Sequence, residues 1–191
     1  MEYKTSQDIR TMPDNETELL QRAQKYDIKT LAWVYDNYSP AIYRYAFRLL
    51  GSDQNAEDCV ADTFLKLLIA LDKRRGPKEN LKAYLFRSAH NWVVDYYRKK
   101  STNESELQDE QPDILEGVET TTEKRLRIEE AMKSMGKLTR EQREVLYLRY
   151  GEGFQNEMIA KIMKKPCGAI KSLLHRGTAA LRRDLKNETQ D

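Results

Sequence analysis

Turn-forming residues are scarce in this chain: 8 glycines and 5 prolines among 191 residues. So few helix breakers against abundant leucine, lysine and glutamate favour an all-α fold. No apolar run approaches the ~18 residues needed to span a bilayer. The N-terminus, Met1-Glu2-Tyr3-Lys4, lacks the apolar stretch of a signal peptide, so a cytosolic (cytoplasmic) protein without membrane insertion is expected. There are two cysteines, Cys59 and Cys167. They lie far apart, match no metal spacing and read as reduced, partly buried thiols. The two histidines, His90 and His175, are isolated, and neither has the nearby serine, cysteine or carboxylate pattern of a catalytic site. Asp58 and Asp62 lie one helical turn apart, but no further ligand joins them, so they read as surface carboxylates. No glycine-rich phosphate loop is present. No catalytic residue, metal or cofactor is expected.

What is abundant is charge, unevenly placed. The net charge is +2, yet residues 101–123 hold 8 acidic side chains and no basic one, while residues 124–191 hold 16 basic and 9 acidic. The loop and helix over 72–100 hold 9 basic and 3 acidic. Two basic regions thus flank an acidic one. Basic segments suit a polyanion partner, although charge alone fits a solvated surface equally well. Residues 101–122 are acidic, poor in aromatics and without helical periodicity, and read as an extended linker. The expected organisation is an N-terminal tail (1–14), a helical domain (15–100), the linker (101–122) and a second helical domain (123–191).

In the first domain the periodicity predicts helices over 15–25, over Ile28–Tyr38 closed by Ser39-Pro40, and over Ala41–Leu50 with Gly51 as C-terminal cap. A fourth, capped by Ser52 or Asp53, runs to Leu71 with Ala56, Val60, Phe64, Leu67 and Leu71 on one apolar stripe. Gly76-Pro77 makes 72–80 a loop. A fifth helix over Leu81–Lys99 is expected to bury Leu81, Leu85, Ala89, Trp92 and Tyr96. On another side it carries Tyr84, Arg87, Ser88, Asn91, Asp95 and Arg98. Clustered cations beside aromatics are what single-stranded DNA binding uses, cations tracking phosphates and rings stacking on bases, although aromatics in such a helix are more often core.

The second domain is expected to begin with a helix over Glu123–Met135. The capping box Thr139-Arg-Glu-Gln142 then opens a helix to Tyr150, Gly151 and Gly153 turn the chain, and Glu157–Met163 forms a short helix. After the turn Lys164-Lys165-Pro166, a last helix over 168–186 points Ile170, Leu173, Leu174, Gly177 and Leu181 inward. Lys171, Ser172, His175, Arg176 and Arg182 point outward. A short helix, a tight turn and a longer basic helix make a helix-turn-helix, whose exposed early residues can reach base edges in the major groove. An ordinary helical hairpin with a charged face remains the plain alternative.

Taken in order, Gln21-Arg-Ala-Gln24, Val34-Tyr-Asp-Asn-Tyr38, Tyr43-Arg-Tyr-Ala46, Arg48-Leu-Leu-Gly51, Ala56-Glu-Asp58, Asp62-Thr-Phe-Leu-Lys-Leu67, Ala83-Tyr-Leu-Phe-Arg87 and Asp95-Tyr-Tyr-Arg98 resemble the N-terminal domain of bacterial sigma factors of the extracytoplasmic-function (ECF) group, within the sigma-70 superfamily. Gln142-Arg-Glu-Val-Leu146, Leu148-Arg-Tyr150, Ile159-Ala160, Ile170-Lys-Ser172 and His175-Arg176 resemble its C-terminal domain. Each piece is weak alone, and the ordered set is specific. The resemblance implies a non-enzymatic transcription initiation factor that binds core RNA polymerase at its clamp and flap. Asp58, Asp62, Thr63 and Phe64 would meet the polymerase. Lys73, Arg74, Arg75, Tyr84, Arg87, Asn91 and Arg98 would capture the melted minus-ten strand. Lys165, Lys171, Ser172, His175 and Arg176 would read the minus-thirty-five duplex, and the linker would thread into the polymerase. An anti-sigma factor as partner and a monomeric free state are further implications.

The sequence departs from that family at four places. Gln155 stands where serine is common at an N-cap, and Lys164 where glycine is common after the short helix. Leu173 and Thr178 stand where arginine is common on the recognition helix. Fewer phosphate contacts or an unusual target sequence could follow. A two-domain helix-turn-helix regulator without polymerase docking is the alternative, with a nuclease behind it. The first domain's segments disfavour the regulator, and the lack of clustered acidic ligands disfavours the nuclease.

Overall fold

The computed structural model describes residues 16–103 and 138–188, with side chains described as far as 183. Among the described residues there are seven α-helices, one π-helical turn and no strand. The helix expected over 123–135 and most of the linker lie outside the described residues.

Helix α1 (Glu16–Gln24) has Glu16 and Glu18 in its first turn, where the unpaired N–H groups favour negative charge, and it buries Leu19, Leu20 and Ala23. The chain then reverses through Tyr26 in the left-handed region (φ 58°). Asp27 ties the turn by pairing with Arg22 at 2.8 Å and accepts a hydrogen bond from the Thr30 N–H, capping α2 (Ile28–Leu50). Helix α2 runs unbroken through Pro40, against the expectation of two helices parted at Ser39-Pro40. A proline removes one helical hydrogen bond and crowds the preceding turn. Here Pro40 and Asp36, whose carbonyl loses its partner, are both exposed, so the vacated acceptor is not sealed inside the core. Val34 before the proline and Ile42, Tyr45, Ala46 and Leu49 after it are buried together, and that shared face holds the helix as one piece.

Gly51 (φ 66°) closes α2 with its N–H on the Phe47 carbonyl, and the Ser52 side chain caps α3 (Asp53–Asp72). The five stripe residues expected of α3 are all buried. The following loop folds back tightly at Gly76, where a Cβ would meet Leu71 Cδ2 at 2.7 Å. Helix α4 (Leu81–Asn103) starts with the Leu81 N–H on Glu16 Oε1 at 2.8 Å. It is one turn longer than expected, taking residues 101–103 from the anticipated linker. The Ser101 and Thr102 hydroxyls bond back to the Arg98 carbonyl. Its buried stripe is Leu81, Leu85, Ala89 and Val93, with Phe86 beside it. Trp92 and Tyr96 are half-buried instead, stacked on each other with centroids 5.7 Å apart.

The described part of the second bundle begins with Thr139, whose capping box with Gln142 is complete, and α5 (Arg140–Leu146). The helix expected to reach Tyr150 loosens into a π-helical turn over Tyr147–Gly151. Helix α6 (Asn156–Met163) and α7 (Cys167–Glu188) follow. Gly177 lets α7 approach α5, where a Cβ would meet Leu146 Cδ1 at 3.0 Å. This bundle packs α5 on α2 and α6 on α4. No described helix is long and apolar enough to cross a membrane. Cys59 is buried and Cys167 partly so, both as free thiols.

Candidate nucleic-acid interface

The loop after α3 and the outer side of α4 form one groove of about 330 Å³, lined among others by Lys73, Arg75, Tyr84, Arg87, Ser88 and Asn91. The Arg87 guanidinium lies over the Tyr84 ring at 5.9 Å. Burial, the larger influence, raises the Tyr84 phenol above its usual range, so it keeps its proton and can donate. The groove therefore offers cations for phosphates, a ring and a guanidinium plane for stacking, and an amide that can both donate and accept at a base edge. Two of the seven predicted residues fall outside it. Arg74 sits exposed at the turn with φ 53°. Arg98 lies further along α4, paired with Asp95 at 3.0 Å, and lines a second, larger cavity with Asn91.

In the helix-turn-helix, Lys171, Ser172, His175 and Arg176 are all exposed on one side of α7, while Ile170, Leu173 and Gly177 are buried. Ser172 and Arg176 turn back to backbone carbonyls of their own helix. Lys165 is held by Glu141 at 2.8 Å. The four departures resolve individually. Gln155 makes no side-chain cap and instead accepts from Arg149 Nη1 at 2.8 Å. Lys164 adopts the left-handed conformation (φ 52°, ψ 42°), which explains why glycine suits that position. Leu173 is only 6 % exposed, so in this chain the position belongs to the core rather than to a phosphate-contacting face. The Thr178 hydroxyl is spent on the Leu174 and His175 carbonyls.

The predicted docking set divides. Asp58 is exposed and Asp62 pairs with Lys66 at 2.6 Å, whereas Thr63 and Phe64 are 0 % and 8 % exposed. The last two lie on the packed side of α3, Phe64 against the Tyr35 ring at 4.8 Å. Beside its charged residues, α3 exposes the apolar Leu65, Leu68 and Ile69, and the exposed Tyr26 and Tyr35 lie against the same helix. Sequence reasoning missed them because apolar residues cover more than one face of α3, and periodicity assigns only one face to the core.

A second omission lies between the bundles. Glu144 is 2 % exposed. Its Oε1 accepts from the Tyr45 hydroxyl at 2.5 Å and lies 2.6 Å from His90 Nδ1. Burial first, then the Glu144 charge, pushes the Tyr45 phenol well above its usual range, which keeps it a donor. The two partners precede Glu144 by 99 and 54 residues, so no local spacing signals the cluster. Arg143 reaches the Arg48 carbonyl, and Lys82 pairs with Glu152 at 2.9 Å, completing the seam. Among the described residues no group of three or more histidine, cysteine or carboxylate side chains could hold a metal ion.

Comparison with known proteins meets this geometry at both bundles. The Sigma-70 region 2 family profile matches residues 34–102, which include the loop and α4 groove. The Sigma-70 region 4 profile matches residues 128–181, which include the helix-turn-helix. The chain is 31% identical over 142 residues to the ECF RNA polymerase sigma factor EcfG of Rhodopseudomonas palustris, covering 74% of this chain and 77% of that one. It is 29% identical to the ECF RNA polymerase sigma factor BldN of Streptomyces coelicolor, covering 91% and 67%. Among solved structures, the sigma factor RpoE of Bartonella quintana, in complex with the anti-sigma factor NepR, matches with a TM-score of 0.65 and 27% identity over 86% of this chain and 98% of that one. With a family relative of that identity and coverage, and both sigma-70 regions in their order on matching helical bundles, the chain belongs to the ECF RNA polymerase sigma factors, the proteins that direct RNA polymerase to promoters.

Proposed function

We propose that this sigma factor divides promoter recognition between its two bundles, residues 15–100 and 123–191, joined by the acidic segment 101–122. The groove of Lys73, Arg75, Tyr84, Arg87 and Asn91, assisted by Arg74 and Arg98, takes the melted minus-ten strand. Lys165, Lys171, Ser172, His175 and Arg176 read the minus-thirty-five duplex. Asp58 and Asp62, with the apolar Leu65, Leu68 and Ile69, meet core RNA polymerase at its clamp, and the second bundle meets its flap. The protein acts in the cytoplasm, is a monomer when free, and is held in check by an anti-sigma factor, as the relative from Bartonella quintana is captured with one.

The single observation carrying this reading is the gathering of cations, a phenol and an amide into the groove of about 330 Å³ beside α4. A strand held there must be unstacked first, at a few kcal/mol per base, and stacking and phosphate contacts in the groove offset that cost. Replacing Asn91, Lys73, Arg74 and Arg75 by alanine is expected to lower open-complex formation at least tenfold, on the order of 1–3 kcal/mol per lost stacking or base contact. Binding to core polymerase should stay normal. A pre-melted promoter should not restore activity, because capture of the exposed strand is what is lost. Normal permanganate reactivity near the start site in this variant would place melting elsewhere.

A further inference from the structure

The two candidate DNA-facing helices are not equally accessible. On α7 the four outward side chains are open to solvent. On α4, Arg87 and Arg98 are exposed as well, but Tyr84 and Asn91 are half-buried, and the second bundle borders them. Tyr84 and Arg87 share a cleft of about 320 Å³ with Met158 and Lys161 of α6. Asn91 and Arg98 share one of about 610 Å³ with Lys164 and Lys165. Elements centred near minus ten and minus thirty-five lie roughly 80 Å apart along a duplex, at about 3.4 Å per base pair. Side chains that line one cleft cannot reach both. The bundles must separate before the protein works.

We infer that Glu144 is a latch that keeps the free protein closed and covers part of its strand-capturing helix, at Tyr84 and Asn91. Its carboxylate is buried at the seam, and its two partners, the Tyr45 hydroxyl on α2 and His90 Nδ1 on α4, both belong to the other bundle. A buried carboxylate without donors is strongly unfavourable. The seam is therefore stable only in the one register that delivers both donors, and loses that register as a unit when the carboxylate goes to water. Arg140, over the Tyr97 ring at 4.6 Å, and the Lys82–Glu152 pair border the same seam, but both are more exposed and worth less. The inference rests on reading α4 as the strand-capturing helix. It adds that closure is a property of this chain alone, with no second protein present.

The test uses the full chain without polymerase. Glu144→Ala removes the acceptor, and Tyr45→Phe and Glu144→Gln are gentler versions should the first fail to fold; circular dichroism reports whether helix content survives. Small-angle scattering should show a larger radius of gyration for the folded variants than for the wild type. Anisotropy with a fluorescein-labelled mixed-sequence single DNA strand should show affinity rising about tenfold, as when a competent state of about a tenth becomes dominant. Duplex binding by the open face of α7 should stay unchanged. An unchanged radius in all folded variants, or a larger radius without gain in single-strand affinity, overturns the latch. The reading beneath it fails differently: the wild-type chain would then not support transcription by core polymerase, whatever its radius.

Discussion

The loop and α4 of the first bundle and the helix-turn-helix of the second carry similar chemistry, cations with a few polar readers, on very different foundations. On α7 the candidate readers project from a helix whose other side is core, Ile170, Leu173 and Gly177, and most stand free in water. On α4 they line a groove formed by the first bundle alone, and the second bundle covers part of that face. The difference suits the targets. A duplex presents its base edges in an open groove and needs an exposed helix. A melted strand presents bases that would otherwise face water, and a cleft with a ring and a guanidinium can take them in.

That contrast can be broken at several places. The largest effect is expected where both surfaces depend on polymerase. Reversing Asp58 and Asp62 together to lysine should weaken holoenzyme assembly by tenfold or more, since like charges across an interface cost several kcal/mol, a scale of about 2–5 kcal/mol for a well-packed contact. Helix content should survive, because neither side chain is buried in the core. Unchanged affinity for core polymerase in a native gel or anisotropy titration would remove these two residues from the docking face and leave the apolar Leu65, Leu68 and Ile69 as its substance.

A smaller effect is expected on α7. Alanine at a base-reading position among Lys171, Ser172, His175 and Arg176 should cost ~1–3 kcal/mol and relax preference at one base pair. Alanine at a phosphate-contacting position should weaken all sequences alike and flatten the salt dependence. Promoter choice left intact by all four replacements would mean that another surface reads the upstream element, and the contrast with α4 would lose one side.

The smallest effects concern two turns that treat glycine oppositely. Gly76 in the first bundle fits because Leu71 leaves no room for a Cβ, so Gly76→Ala should destabilise by about 1–3 kcal/mol. Lys164 in the second holds a left-handed conformation with a side chain, so Lys164→Gly should stabilise by about 1 kcal/mol. Thermal unfolding followed by circular dichroism reads both. A stabilising Gly76→Ala or a destabilising Lys164→Gly would show that the local geometry does not govern either turn.

Much of this architecture was legible because it rests on local rules. The α3 stripe, the Thr139 capping box, the Gly51 cap and the inward and outward faces of α7 follow from spacings of three and four and from residues with one favoured place. The unbroken α2 was not legible, because the stripe shared across Pro40 outweighs the proline only once the neighbouring helices are in place. The Trp92–Tyr96 pair sits one face off because aromatic and aliphatic residues on α4 offer two overlapping stripes, and packing against α2 and α3 selects the one through Val93. The burial of Thr63 was not legible either, because a hydroxyl residue beside the α3 stripe carries no periodic signal of its own. The Glu144 cluster was hidden for a stronger reason. Its members are single polar residues on three helices, and only the docking of one bundle on the other brings them within hydrogen-bond distance.

The most direct measurement of the central claim is run-off transcription reconstituted from core RNA polymerase, the purified chain and fragments of the source genome. Discrete transcripts that require the chain, and that disappear when Asn91, Lys73, Arg74 and Arg75 are replaced while holoenzyme still assembles, are the predicted result. A chain that binds core polymerase yet yields no specific transcript from any fragment would contradict it.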